Sequence, residues 1–154
     1  MDDERGLMAE QEALAVVGRQ LYRIIPEGAR AVVFRAAVLS AVMSASAVAE
    51  AEDGSTSALR LGGKLDSDDV DALRSLMYRP GSGTWFSLEL TVTAQQSMTS
   101  RFNYDDEPDF GLGGVDPIAY VTDQDAFPRD EARQPEWLKQ KLVEGRARLA
   151  ARDK

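Results

Sequence analysis

The strongest constraint on the fold is a strand pattern near the middle of the chain. Four apolar residues alternate there with serine, glutamate and threonine: Phe86, Leu88, Leu90 and Val92. This period of two predicts a strand with one buried face and one wet face, which is typical of antiparallel sheets. The turn Gln95-Gln96-Ser97 follows, and residues 98–104 are predicted to pair back as a shorter strand.

Helical periodicity flanks this hairpin on both sides. Apolar residues from Leu7 to Ile24 recur at helical spacing, and Pro26 ends the pattern, so a helix is predicted over residues 3–25. Asp66 with Asp69 three residues later resembles a capping box and predicts a second helix that continues to Met77. Further helices are predicted over residues 118–127 and 134–152.

The segment between the first two helices is rich in alanine, which favours a helix, but its β-branched residues and Phe34 favour strands. Val32, Phe34, Ala36 and Val38 share one parity, as one face of a strand requires. Asp53-Gly54 is a hairpin turn signal. Strands are therefore predicted over residues 30–39, 42–52 and 56–61. The element order predicts one α+β domain over residues 1–154, with a mainly antiparallel sheet covered by an N-terminal, a middle and a C-terminal helix.

Composition excludes much chemistry. The chain has no cysteine and no histidine, which removes disulfides, thiol catalysis and the commonest general base and zinc ligand. Gly111-Leu112-Gly113-Gly114 lacks the lysine and hydroxyl residue of a phosphate-binding loop. We therefore predict no enzyme activity, no catalytic residue, no metal site and no cofactor. A small hydrolase using paired carboxylates stays open as an alternative.

The excess negative charge of the chain falls in one stretch. Residues 103–131 hold nine acids and one base, a net charge of −8, while the other residues hold 17 acids and 17 bases. A surface of this sign does not favour nucleic acid, so we predict no direct nucleic-acid binding, but it attracts a basic partner. A solvated loop that only aids solubility is the alternative.

No targeting or membrane segment is evident in the sequence. The N-terminal residues are acidic and polar, unlike a signal peptide. Residues 29–49 are apolar, but Arg30 and Arg35 interrupt them. We therefore predict a cytoplasmic protein without a membrane span.

Three aromatic residues are predicted to have structural roles in packing: Trp85, Phe102 and Trp137.

Several motifs together resemble the YezG-like immunity proteins, the antitoxin partners of bacterial polymorphic toxins. They are the Ile25-Pro26-Glu27-Gly28 turn, the helix over residues 73–78, RPGSGTWFSLELTVT at 79–93, FNYDDEPDF at 102–110 and FPRDEARQPEWLKQKL at 127–142. The resemblance covers nearly the whole chain. It implies a protein that binds and blocks a cognate toxin rather than a catalyst.

The resemblance also suggests where the toxin would bind. The candidate residues begin in the motif at 102–110 and extend along the acidic stretch: Tyr104, Asp105, Asp106, Glu107, Asp109, Asp123 and Asp125. The expected partner is a toxin domain with a cationic cleft, either a nuclease or an NAD-hydrolysing enzyme. A protein-interaction adaptor without a toxin is the alternative, and the free protein is expected to be a monomer or a small homo-oligomer.

Overall fold

The computed structural model describes residues 2–153, with side chains from Gly6 onward, and it is an α+β fold. Its elements, in chain order, are α1 Asp2–Arg23, β1 Ala29–Leu39, β2 Val42–Ala51, β3 Thr56–Leu59, α2 Ser67–Leu76, β4 Ser87–Thr93, β5 Met98–Asn103, α3 Ile118–Ala126, a 3-10 helix Glu131–Arg133 and α4 Glu136–Arg152. The predicted fold class is confirmed. The predicted boundaries lie within two residues of these, whereas the 3-10 helix was not predicted.

The five strands form one sheet in the order β3-β2-β1-β4-β5. β2 and β3 pair antiparallel, with Ala47 opposite Leu59 and Glu50 opposite Thr56. At the two ends of β1, Ala94 N donates to Arg30 O (2.8 Å) and Val38 N donates to Phe86 O (2.9 Å). Residue numbers increase along β1 as those of its bonded partners decrease, so β1 and β4 are antiparallel as well.

The backbone divides into two compact units that alternate along the chain. Unit 1 comprises Met1–Ala36, Ala45–Met77 and Leu88–Phe102, and unit 2 comprises Ala37–Ser44, Tyr78–Ser87 and Asn103–Lys154. Each unit therefore takes segments from distant parts of the sequence. The expectation of one domain over residues 1–154 stays a prediction.

Unit 1 contains α1, α2 and most of the strand residues. Its buried residues follow the predicted periodicities, with Val17 and Leu21 on α1, Val32 and Phe34 on β1, and Leu90 and Val92 on β4. Asp66 caps α2, since its carboxylate accepts a hydrogen bond from Asp68 N at 2.9 Å. The reciprocal bond of the predicted capping box is not made by Asp69. Instead, Asp66 N donates to the Gln20 side chain, which itself donates to Asp69.

Unit 2 contains α3, the 3-10 helix and α4. Its core combines one residue of β1 with five from later segments: Leu39, Phe86, Tyr120, Val121, Leu138 and Leu142. α3 and α4 approach closely at Gly145, where an added Cβ would lie 2.6 Å from the Pro117 carbonyl oxygen. β1 is buried on both faces where it enters unit 2, since Ala37, Val38 and Leu39 are all buried. This burial explains why apolar residues occupy both parities at the end of β1.

Among the described helices, none combines the length and the apolar character that a membrane span requires.

Candidate functional site

The acidic loop (residues 104–109) follows β5 and begins in a turn built around Asn103. The Asn103 Oδ1 atom accepts hydrogen bonds from Asp105 N (3.2 Å) and Asp106 N (2.9 Å). Its Nδ2 atom donates to Asp106 O (2.9 Å) and to Ser87 Oγ (3.0 Å). An asparagine side chain that bonds the backbone two and three residues onward fixes a local turn. The first two acids of the loop are therefore held on a defined backbone.

Trp137, near the start of α4, holds the same loop from another direction. Its indole Nε1 donates to Asp105 O at 2.7 Å. Its ring meets Phe86 and Tyr120 edge-on, with ring centres 5.2 Å and 5.7 Å away. Edge-to-face pairs of this kind add to the free energy gained by burial. Trp137 thus links the acidic loop to the core of unit 2.

Arg129 is the one base of the acidic stretch, and it lies inside unit 2. Its side chain is 4% exposed, and its Nη2 donates to Thr84 O at 2.9 Å. Its Nη1 lies 3.9 Å from Asp105 Oδ1, whose side chain is 87% exposed. The Arg129 carbonyl accepts hydrogen bonds from the side chains of Gln124 (3.0 Å) and Gln134 (3.2 Å). The sequence analysis did not identify Arg129 as a site residue.

A groove of about 580 Å³ opens beside Arg129. It is lined by residues from three of the motifs that carry the resemblance: Ser82, Tyr104, Asp105, Arg129, Ala132, Arg133, Gln134 and Pro135. Arg133 Nη1 donates to Ser82 Oγ, and both residues line the groove. The groove therefore presents an exposed carboxylate above a buried cation. This arrangement suits polar side chains of a partner better than an apolar ligand.

Basic residues of α4 neutralise part of the acidic stretch. Lys141 Nζ lies 3.6 Å from Glu107 Oε1, and Arg148 Nη1 lies 3.5 Å from Asp116 Oδ1. Asp109 accepts a hydrogen bond from Gly111 N at 2.8 Å but remains exposed. Within the acidic loop, Asp105, Asp106 and Asp109 are thus the exposed acids that are not paired with a base of α4. The neighbouring Leu112 side chain is fully exposed.

The two candidate acids on α3 differ in position. Asp123 is 5% exposed, and its Oδ1 accepts a hydrogen bond from Ser40 N at 2.8 Å. Asp125 is exposed to solvent. Burial raises the pKa of the nearby Tyr120 hydroxyl, and the carboxylates of Glu107 and Asp123 raise it further. Tyr104 and Asp105 line the same groove, whereas the Asp123 carboxylate accepts a hydrogen bond inside unit 2.

The other two aromatic candidates also differ in burial. Trp85 is 0% exposed, and Phe102 at the end of β5 is half-buried.

In the part of the chain that the structure describes, no three acidic side chains converge as ligands for a metal ion. Neither the protein-family models nor the curated proteins with which the chain was compared gave a match.

Proposed function

We propose that this chain is an immunity protein that binds and neutralises a cognate toxin domain of a bacterial polymorphic toxin system. It acts in the cytoplasm of the producing cell and does so by binding, without catalysis or a cofactor. The observation that carries the proposal is the acidic loop, which presents its carboxylates on a backbone fixed by Asn103 and Trp137.

The fixed backbone supports a binding role because it lowers the entropy that a partner must remove. A loop that is already ordered loses little conformational freedom on association. The carboxylates of Asp105 and Asp106 project into solvent from main-chain groups that are hydrogen-bonded at 2.7–3.2 Å. A purely solubilising loop does not require this order.

Charge supports the same role. The stretch that contains the acidic loop carries all of the chain's net charge of −8. Toxins that cleave nucleic acid or a dinucleotide bind phosphate groups, and such clefts are basic. A concentrated patch of opposite sign accelerates encounter with a basic cleft and selects against acidic partners.

The exposed Leu112 supplies an apolar group beside these acids. Stable interfaces combine a small apolar centre with a polar rim. In the proposed complex Leu112 packs against the toxin surface, and the acids surround it. Basic side chains of the toxin pair with the exposed carboxylates of Asp105, Asp106 and Asp109.

The test uses the toxin domain encoded beside the gene for this chain. Co-expression of the chain should restore growth of cells that produce that domain, and the purified proteins should associate rapidly at low salt. The variant Asp105→Asn/Asp106→Asn/Asp109→Asn should associate about tenfold more slowly at low salt, and its rate should depend less on ionic strength. Glu107 is kept because it pairs with Lys141.

The matched control is Glu27→Gln/Glu52→Gln/Glu144→Gln, which removes three exposed charges outside the acidic stretch. It should associate at a rate close to that of the parent, and both variants should melt like the parent. Failure to restore growth would contradict the immunity function. Equal slowing by the two triple variants would contradict the placement of the toxin on the acidic loop.

A further inference from the structure

Unit 1 carries a second groove, which lies between α1 and the β4–β5 hairpin. Its volume is about 480 Å³, and its lining includes Ala15, Gly18, Val92 and Met98 as well as Arg19, Tyr22 and Arg23. The Met98 side chain lies directly against Gly18, where an added Cβ would be 2.7 Å from the sulfur atom. The apolar floor thus has a flexible thioether at its side, and flexible thioethers adapt to varied ligands.

The groove runs beside an open edge of the sheet. β5 is the last strand of the sheet, and its residues 98–101 are exposed. Thr93 N donates to Ser97 O at 2.9 Å, so the main-chain groups of Ser97 face β4. Because this direction alternates along an antiparallel strand, the main-chain groups of Met98 and Ser100 face outward. An added strand can bond to them.

The rim of this groove is positively charged although the chain is acidic. Arg19 and Arg23 lie on its border, both exposed, and no carboxylate is among the lining residues. Neither guanidinium forms a hydrogen bond or ion pair with another described residue. The two arginines are one helical turn apart, about 6 Å, and alternate residues of a strand are about 6.6 Å apart. Two carboxylates at alternate strand positions match this spacing.

We infer that unit 1 binds an extended peptide segment that adds to the edge of β5. One face of the segment carries a leucine-like side chain for the apolar floor and two acidic side chains for Arg19 and Arg23. A second copy of this chain is a poorer occupant, because pairing β5 with its own copy brings a second pair of equivalent arginines toward the first. The inference is independent of the toxin-binding role proposed for unit 2.

The experiment uses the acetylated and amidated peptide Thr-Leu-Thr-Glu-Thr-Glu-Thr and the full chain labelled with ¹⁵N and with ¹³C in its methionine methyl groups. Addition of the peptide should shift the amide signals of residues 97–101 and the methyl signal of Met98, and the shifts should saturate. The peptide Thr-Leu-Thr-Lys-Thr-Lys-Thr has the same length and strand propensity but the opposite charge. It should leave these signals in place.

Two protein variants test the two sources of affinity. Arg19→Glu/Arg23→Glu should weaken binding of the acidic peptide by about tenfold or more. Arg60→Glu/Arg146→Glu makes the same change of charge at exposed sites outside the groove and should bind like the parent. Ser100→Pro removes one outward N–H without removing a bond to β4, and it should also weaken binding.

Each variant is first shown to be folded by its melting curve and by an unchanged spectrum outside the groove. Saturable binding that requires the arginines and the free edge supports the inference. Equal binding of the lysine peptide, or parent-like binding by the folded Arg19→Glu/Arg23→Glu variant, would overturn it. So would a dimer of the free protein that Ser100→Pro dissociates, because a second copy would then occupy this edge.

Discussion

The guanidinium carbon of Arg129 lies 4.5 Å from the centre of the Phe86 ring. The same guanidinium donates to Thr84 O at 2.9 Å, so one cation contacts both an aromatic face and a carbonyl oxygen. A buried cation is costly unless such contacts replace its hydration. Arg129 is thus part of the framework that supports the acidic loop, rather than a surface charge within it.

The first prediction concerns the shape of that cation. Arg129→Lys keeps the charge but loses the planar fork that bonds Thr84 O and stacks on Phe86. We expect the free energy of unfolding to fall by about 1–3 kcal/mol, measured by urea denaturation. The control Arg133→Lys alters an exposed arginine of the same groove and should change stability by about 0.5 kcal/mol or less. Equal effects of the two substitutions would refute a framework role for Arg129.

The second prediction concerns the glycine that makes room for Arg129. Gly83 has φ +77°, and an added Cβ would lie 2.5 Å from the Arg129 side chain. Gly111 has a similar φ of +87°, but an added Cβ would meet nothing within 4 Å. Both alanine variants strain the backbone, at a cost of about 1–2 kcal/mol. Only Gly83→Ala also displaces Arg129, so its thermal midpoint should fall clearly further than that of Gly111→Ala.

The strands and helices were largely predictable because their signals are local. The apolar residues of β4 alternate with polar ones, and those of α1 recur at helical spacing, because each element buries one face. Both patterns can be read from a short segment of the sequence. The turn after β4 was harder to predict, because Gln96 rather than a glycine adopts a positive φ of 68°. The tertiary partners of Gln20 were not predictable either. Its bonds to Asp66 and Asp69 cross more than 40 residues of sequence.

The candidate site was predictable in composition but not in detail. The sequence identified the acids, yet it could not distinguish Asp123, which is buried against Ser40 N, from Asp125, which is exposed. The pairing of Glu107 with Lys141 depends on where α4 packs. Arg129 had one usable signal, since it is the only base among nine acids in residues 103–131.

The third prediction separates the two contributions of Trp137. Trp137→Ala removes the ring contacts with Phe86 and Tyr120 and should lower the free energy of unfolding by about 3 kcal/mol. Trp137→Phe retains an aromatic ring but loses the indole N–H that bonds Asp105 O, and it should cost about 1 kcal/mol. In both variants the amides of Asp106 and Glu107 should exchange with solvent faster than in the parent. Unchanged exchange in Trp137→Phe would show that the indole bond does not hold the acidic loop.

The last prediction concerns pH and the turn between β2 and β3. The Ser55 hydroxyl donates to Asp53 Oδ1 at 2.6 Å and Ser55 N donates to the same atom at 2.9 Å. These bonds lower the pKa of Asp53, the hydroxyl bond most strongly, because they favour the charged carboxylate. A lowered pKa means that the ionised turn stabilises the fold above the carboxyl's ordinary pKa and loses this contribution as pH falls through the lowered value. Ser55→Ala should therefore raise the pKa of Asp53 toward its ordinary value, as measured by NMR titration of its carboxyl carbon.

The control Ser57→Ala alters an exposed serine of the adjacent strand and should leave that pKa unchanged. A pKa of Asp53 that does not move in Ser55→Ala would show that the hydroxyl bond is not formed in solution.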